Sequence, residues 1–398
     1  MDRIIFHIDV NSAYLSWTSV ENLRTGQGPD LRDIPAIIGG DEASRHGVVL
    51  AKSLSAKAFG VRTGEPIASA RKKCPGLVIA QPNHKLYSHY SSRLMDYLSE
   101  ITPDLEQVSV DECFLDFTGI SHLYDSPLQA AGQIRDQIFE RFSFTVNVGV
   151  SVNKLLAKMA SDFEKPGKVH TLFPEEIQKK MWPLPVGELY MAGRSSVLTL
   201  KKLGIETIGD LALSDPALLR SHLKSHGQLL WEYANGIDER SVLSSPAEAK
   251  GIGNSTTLAA DAVTGEEARR VLRQLAESVS GRLRKAHMMA GSLCVEIKYH
   301  TFVTASHQMP LNPPINTADG IYESACLLFS QLWDGTPIRL LGIRSSKLLT
   351  EGAPIQMSLF DQAFAKTEKQ RRLDSALDSI RHRFGEGAVV RGSQLKEP

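Results

Sequence analysis

Asp111 and Glu112 stand side by side in a stretch, Leu105 to Phe117, that otherwise alternates apolar and other residues, and this adjacency is the strongest constraint on the fold. Neighbouring residues on a regular strand point to opposite faces. Both carboxylates reach one site only if the chain turns sharply there. The spacing therefore predicts two strands flanking a break at Ser109-Val110-Asp111-Glu112. A third acid, Asp9, ends a short β-branched run, Ile4 to Ile8, that reads as a buried strand with a carboxylate at its C-terminal end. Three acids converging in a cleft repel each other. A hard divalent cation with oxygen ligands balances that charge best, Mg²⁺ by default, and two such ions can hold a triphosphate for transfer. On spacing alone the plainer reading stays open, because acids at strand ends and turns are mostly solvated or capping groups.

Elsewhere the patterns are local. Asn11 or Ser12 is placed to cap a helix through Trp17 and Val20. Residues 34–80 alternate small strands with Gly-rich turns and a small helix over Ser53–Phe59 closed by Gly60. Ser88 to Ile101 reads as helix. So does Leu128 to Phe142, with Ser126 as cap and Pro127 at its first position. Phe144 to Val150 reads as a strand and Asn153 to Ala160 as a helix that stops before Lys165-Pro166-Gly167. Strands mixed with helices predict an α+β layer architecture. From 173 to 240 the strands vanish, and Pro246 to Gly253 reads as a linker. Beyond it come a long helix over Glu266–Lys285, a strand over Ser292–Tyr299 and a strand holding Thr301 to Ser306. A last helix is expected to carry Leu373, Leu377, Ile380 and Phe384 on one face and to end at Gly385.

With 398 residues and 42% hydrophobic content, the chain has room for two to four domains. Lys+Arg and Asp+Glu both number 45, so any basic surface for nucleic acid is local and offset by acid elsewhere. Four scattered cysteines without a CxxC pair point to a reducing, cytoplasmic setting with neither disulfide frame nor zinc site. The apolar N-terminal stretch is too short for a signal peptide or a span, so a soluble protein without a membrane partner is expected.

Phe6-His7-Ile8-Asp9-Val10-Asn11-Ser12-Ala13-Tyr14, followed by Val108-Ser109-Val110-Asp111-Glu112-Cys113-Phe114-Leu115-Asp116, resembles the two signature motifs of the Y-family DNA polymerases, the DinB type and its UmuC relatives. The similarity runs in order over roughly residues 3–348. It implies an α+β multidomain right hand: a palm at 1–18 and 81–172, small fingers at 19–80, a helical thumb with a helix-hairpin-helix at 173–240, a linker at 241–250, a little finger at 251–348 and a tail at 349–398. It implies that Asp9, the carbonyl of Val10, Asp111 and Glu112 hold two Mg²⁺ ions, with Glu112 the active-site acid. Tyr14 matches the steric gate under the sugar of the incoming nucleotide. Asp162-Phe163-Glu164-Lys165-Pro166 resembles the segment whose lysine contacts the triphosphate, which places Lys165 on the phosphates. Ser53 to Val61 aligns with a fingers motif that often reads Tyr-x-Ala-Arg. Leu54 replaces the Tyr here and Lys57 the Arg, so Lys57 supplies charge without a bidentate fork. Asn11 stands where many members have a second Asp, and Ala13 where an aromatic is common.

Leu189 to Leu211 reads as helix, Ala192-Gly193 turn, helix, Gly204 stop, then Thr207 as a fresh cap with Asp210 three residues on. This resembles a hairpin that binds a DNA phosphate through backbone N–H groups, with Met191-Ala192-Gly193 in place of Gly-x-Gly and Gly193 as the contact. Arg282, Arg284, Lys285 and Lys298 are expected on backbone phosphates. Gln356-Met357-Ser358-Leu359-Phe360 resembles the bacterial sliding-clamp-binding peptide, Gln356 anchoring by hydrogen bonds while Leu359 and Phe360 fill an apolar pocket. The expected activity is the addition of dNTPs to the 3′-hydroxyl of primer–template DNA by a monomer, at low fidelity past damaged bases. A catalytically silent DNA- and clamp-binding scaffold and a nucleotidyl cyclase on a related palm are the alternatives.

Overall fold

The computed structural model describes residues 3–40, 45, 47–245, 248–352, 364–385 and 388–389, the side chains of 364–368 excepted. The chain divides into two compact units, residues 1–40 with 47–247, and residues 248–398 with 41–46. No helix among the described residues is long and apolar enough to cross a membrane. The clamp-like peptide Gln356–Phe360 lies outside the described residues.

In the first unit, Ile5–Val10 is the middle of a five-stranded sheet ordered Leu105–Gln107, Glu112–Asp116, Ile5–Val10, Val146–Ser151, Val169–Thr171. All six of its residues are buried, because helices cover both faces. Phe6, Ile8 and Val10 point into a core shared with helices His84–Ile101 and Pro127–Phe142. Ile5, His7 and Asp9 point the other way, toward helix Lys154–Ser161. The expected break is there: Leu105–Gln107 and Glu112–Asp116 pair as a hairpin, and the N–H groups of Val108 and Ser109 both donate to the carbonyl of Glu112. Asp111 therefore belongs to the turn and Glu112 to the strand.

The helix starts follow local chemistry where the cap is a side chain. Ser126 accepts from the N–H of Gln129, and Asn153 from that of Leu156. The first helix, Ala13–Thr25, departs from expectation, because neither Asn11 nor Ser12 caps it. Asn11 is tied into the five-stranded sheet, its side-chain amide donating to Asn147 at 3.2 Å and its side-chain oxygen accepting from the N–H of Gly167 at 2.9 Å. Ser12 takes the left-handed conformation, φ 46°, and its hydroxyl donates to the carbonyl of Lys52 at 3.2 Å. Residues 34–80 form a three-stranded sheet with Ala36–Gly39 between Val49–Lys52 and Val78–Ala80, and Ser53 caps the short helix Leu54–Ala58.

From 174 to 234 the elements are helical around a core of Leu156, Leu200, Ile208 and Leu230. The helix expected ahead of Gly193 is only a 3₁₀ turn, Val186–Glu188, and Gly193 opens the helix Arg194–Lys202. Met191 holds φ 70°, the conformation a glycine adopts without penalty, so the missing glycine of the hairpin is replaced by a strained methionine. Thr207 and Asp210 make the expected reciprocal cap.

The second unit is a four-stranded antiparallel sheet, ordered Thr304–Ile315, Met288–Tyr299, Ile338–Thr350, Gly251–Ala262, with helices Gly265–Lys285 and Ala318–Leu332 packed on it. Thr301 to Val303 precede the strand and are not part of it. The tail helix, Phe364–Phe384, ends before Gly385 as expected and lies against those two helices. Leu373, Ile380 and Phe384 are exposed, and the docked face is charged. Buried Asp374 accepts from the N–H of Ala318 at 2.8 Å, capping a helix whose own Thr317 makes no side-chain cap. Arg284 bonds Asp378 at 2.7 Å, Asp374 at 3.3 Å and the carbonyl of Asn316 at 2.9 Å, and Arg381 reaches Glu277 at 3.2 Å. Arg284 is thus committed inside the protein and is withdrawn from the expected DNA phosphate contacts. Replacing it by Ala removes the cation two acids share, a loss of about 3 kcal/mol for a largely buried pair. Arg284→Ala is expected to speed proteolysis within 364–385 while leaving the salt dependence of DNA binding unchanged. A smaller salt slope in the variant would restore Arg284 as a phosphate contact.

Candidate active site

The sheet register puts Asp9 directly opposite Glu112 on one side and Asn147 on the other. Paired residues share a face, so Asp9, Glu112 and His7 all look toward helix Lys154–Ser161. From that helix Lys158 donates to Glu112 at 2.7 Å and approaches Asp162 at 3.5 Å. Lys165, just beyond it, is ion-paired with Asp9 and with Asp162, the latter at 2.8 Å. Burial pushes the Asp9 carboxyl up to about 6, against the pull of Lys165. Glu112 is held down at about 2 by the His7 imidazole and the Lys158 ammonium. Burial pulls His7 itself down to about 4, so the ring is neutral, and its Nε2 stands 3.8 Å from Glu112, beyond hydrogen-bond reach. The ammonium is the direct contact. On its other side the ring is fixed by a 2.8 Å bond between Nδ1 and Ser161.

Asp111 approaches from the turn. Its carbonyl accepts from the N–H of Val10 at 3.0 Å, and its carboxylate accepts from the Ser109 hydroxyl at 2.6 Å. The three expected acids are therefore brought to one end of two neighbouring strands. Their side chains are turned to separate partners: Lys165 for Asp9, Lys158 for Glu112 and Ser109 for Asp111. Among the described residues no three His, Cys, Asp or Glu side chains form a metal-holding cluster. The donor chemistry still suits a hard cation, since carboxylates are the oxygen ligands Mg²⁺ takes.

Tyr14 lies in the first turn of Ala13–Thr25, stacked on Tyr87 with centroids 4.4 Å apart and planes within 9°, and edge-on to His84 at 6.2 Å. Burial and the nearby Asp111 carboxylate push its phenol up. With no side-chain cap and no acid in its first turn, this helix has an N-terminus that suits an anion, although the N–H of Leu15 already donates to the carbonyl of Ser12 at 3.0 Å. Lys57 is exposed on Leu54–Ala58. Gly193 opens its helix with free space around it, Arg282 donates to the carbonyl of Gly253 at 2.7 Å, and Lys298 lies over the Phe302 ring at 5.7 Å.

The sequence reading missed Lys158 and His7. Lys158, Asp162 and Lys165 sit at i, i+4 and i+7, so extending the Asp-x-x-Lys-Pro segment one helical turn backward finds Lys158. No local signal marks His7, whose contacts span 105 residues to Glu112 and 154 to Ser161.

Residues 8–162 match the impB/mucB/samB family and residues 249–359 the C-terminal domain of that family. The chain is 44% identical over 398 residues to the DNA polymerase IV of Clostridium acetobutylicum, across 100% of this chain and 99% of that one. It belongs to the Y-family DNA polymerases, of the DinB type. It is also 35% identical to the DNA polymerase IV 1 of Bacillus subtilis, over 99% of this chain and 94% of that one. A solved Y-family DNA polymerase chimera matches with a TM-score of 0.76 at 21% identity, covering 87% of this chain and 100% of that one, and so shares the α+β polymerase fold.

Proposed function

We propose that this chain is a template-directed DNA polymerase that attacks the α-phosphate of a dNTP with a primer 3′-hydroxyl, releasing pyrophosphate, and that it serves low-fidelity synthesis past damaged bases in DNA repair. The observation that carries the reading is the register of Asp9 against Glu112, with the Asp111 turn bonded to Val10 beside them. Asp9, the carbonyl of Val10, Asp111 and Glu112 would hold two Mg²⁺ ions. Such ions lower the pKa of the attacking hydroxyl and balance charge on the leaving oxygen. The open N-terminus of Ala13–Thr25 receives the phosphates, and Lys165 adds charge on their path. Tyr14, braced by Tyr87, lies under the sugar. Glu112 is the active-site acid.

The five-stranded sheet and its helices (1–18 and 81–172) serve as palm, 19–80 as fingers, 173–240 as thumb, 241–250 as linker and 251–348 as little finger. Gly193, Arg282 and Lys298 would touch DNA phosphates, and Gln356, Leu359 and Phe360 would engage a bacterial sliding clamp. The working form is a cytoplasmic monomer. Primer extension by the wild type beside an Asp111→Ala/Glu112→Ala control tests the core claim. Templated addition by the wild type alone is expected, and a wild type that adds no nucleotide with Mg²⁺ or Mn²⁺ sinks it. Tyr14→Ala is expected to raise ribonucleotide insertion relative to deoxyribonucleotide by more than about tenfold, since a steric exclusion is lost. Unchanged discrimination in single-nucleotide kinetics would remove Tyr14 from the gate.

A further inference from the structure

The fingers present two lysines, Lys52 and Lys57, that form no ion pair among the described residues. Leu54, 58% exposed, offers an incoming phosphate no polar atom. Lys57, one turn on, is exposed and has no acid partner among the described residues. Lys52 precedes them as the last residue of the strand Val49–Lys52. Its ammonium makes one hydrogen bond, 3.1 Å to the neutral hydroxyl of Thr63. Glu65, an acid close enough to Lys52 to act on its charge, is already engaged by Lys73 and by the N–H of Arg62 at 2.9 Å. Burial and then the charge of Lys57 pull the Lys52 ammonium down, against a weaker opposing pull from Glu65.

Position gives the pair a purpose. The carbonyl of Lys52 accepts from the hydroxyl of Ser12 at 3.2 Å. Ser12 is the residue from which the helix Ala13–Thr25 starts, and that helix opens uncapped and without acid beside Val10 and Asp9. The end of the fingers strand is therefore fastened to the open helix N-terminus, and Lys52 is held at its flank. Two cations without an ion-paired acid among the described residues, beside an uncapped helix start, suit a polyanion with several charges on adjacent phosphorus atoms.

We propose that Lys52, together with Lys57, grips the outer phosphates of the incoming dNTP, replacing with two point charges the hydroxyl that Leu54 lacks. The inference rests on the polymerase reading above. Lys52→Met keeps the aliphatic stem over Thr63 and removes only the charge, while Lys52→Arg keeps the charge. In single-nucleotide extension, Lys52→Met is expected to raise the KM for dNTP about tenfold, the weight of one charge-assisted contact, with a much smaller change in kcat, and Lys52→Arg to recover most of it. Binding of dNTP to the enzyme on a dideoxy-terminated primer, followed by fluorescence, is expected to weaken in parallel. The loss should shrink as salt is raised. A Lys52→Met enzyme with wild-type KM and wild-type dNTP binding overturns the proposal and leaves the polymerase reading standing. A fall in kcat and melting temperature at unchanged KM also overturns it, making Lys52 a structural strand-end residue. A wild type that extends no primer overturns the polymerase reading, and this proposal with it.

Discussion

Gly149→Ala is expected to unfold the first unit. Gly149 lies opposite His7 in the strand Val146–Ser151, on the face crossed by helix Lys154–Ser161. A methyl group there would overlap the carbonyl oxygen of Ala157 and sit 2.6 Å from the N–H nitrogen of Ser161. Both are backbone atoms, so no rotamer change relieves the clash and the whole helix has to lift from the sheet. That helix carries Lys158, and its residues Leu155, Leu156 and Met159 also build the core shared with residues 174–234. Lifting it opens two cores at once. The loss is expected to exceed about 4 kcal/mol, in the exceptional range for a single substitution. Gly132→Ala is the matched control: it lies in the helix Pro127–Phe142 with open space around it and is expected to stabilise by about 0.5–1 kcal/mol. Thermal melts of the two variants should move in opposite directions. If Gly149→Ala melts within a few degrees of the wild type, the close approach of helix to strand is not needed for folding.

What could be read from the sequence was local or depended on strand parity. Asp9 at a strand end, the break before Glu112, the Ser126–Pro127 start and the Thr207–Asp210 cap each follow from a few neighbouring residues, and the structure has all of them. The fold class follows from the same patterns. The misses share a cause as well. The spacing of Leu373, Leu377, Ile380 and Phe384 put four apolar residues on one helix face and gave no docking partner, and the helix docks through Asp374, Asp378 and Arg381, whose partners lie about ninety to a hundred residues back at Arg284 and Glu277. Periodicity reports which side of a helix is apolar and says nothing of a charged partner supplied by a distant segment. Ser12 looked like a cap because its residue type suits one. Its hydroxyl is drawn instead to a carbonyl 40 residues on. The site shows the same limit. Its acids and Lys165 were legible as motifs, and Lys158 lay one helical turn before that lysine, but the histidine beside them comes from contacts no sequence window spans.

Glu112→Ala is expected to abolish primer extension and to destabilise the protein, and the two losses should part company in a double variant. For activity, Glu112 contributes a carboxylate on the register line with Asp9, and no neighbouring side chain replaces it. A loss of at least about a thousandfold in kcat is expected when a metal-site carboxylate is removed. For stability, Glu112 is the nearest anion to Lys158, whose side chain is only 11% exposed. Without it the ammonium keeps Asp162 at 3.5 Å and faces the neutral His7, a cost of about 2 kcal/mol for a partly buried pair that is broken on one side. Lys158→Met removes the stranded charge while keeping most of the aliphatic volume. Glu112→Ala/Lys158→Met is therefore expected to melt close to the wild type and to remain inactive. Denaturant titrations of the wild type, both single variants and the double variant give the coupling energy directly. If the double variant is as unstable as the sum of its parts, the Lys158–Glu112 contact carries no stability, and the fall of Glu112 to about 2 must come from the His7 side instead. A double variant that regains polymerisation would show that Glu112 acts only by holding Lys158, and would move the active-site acid to Asp9 and Asp111.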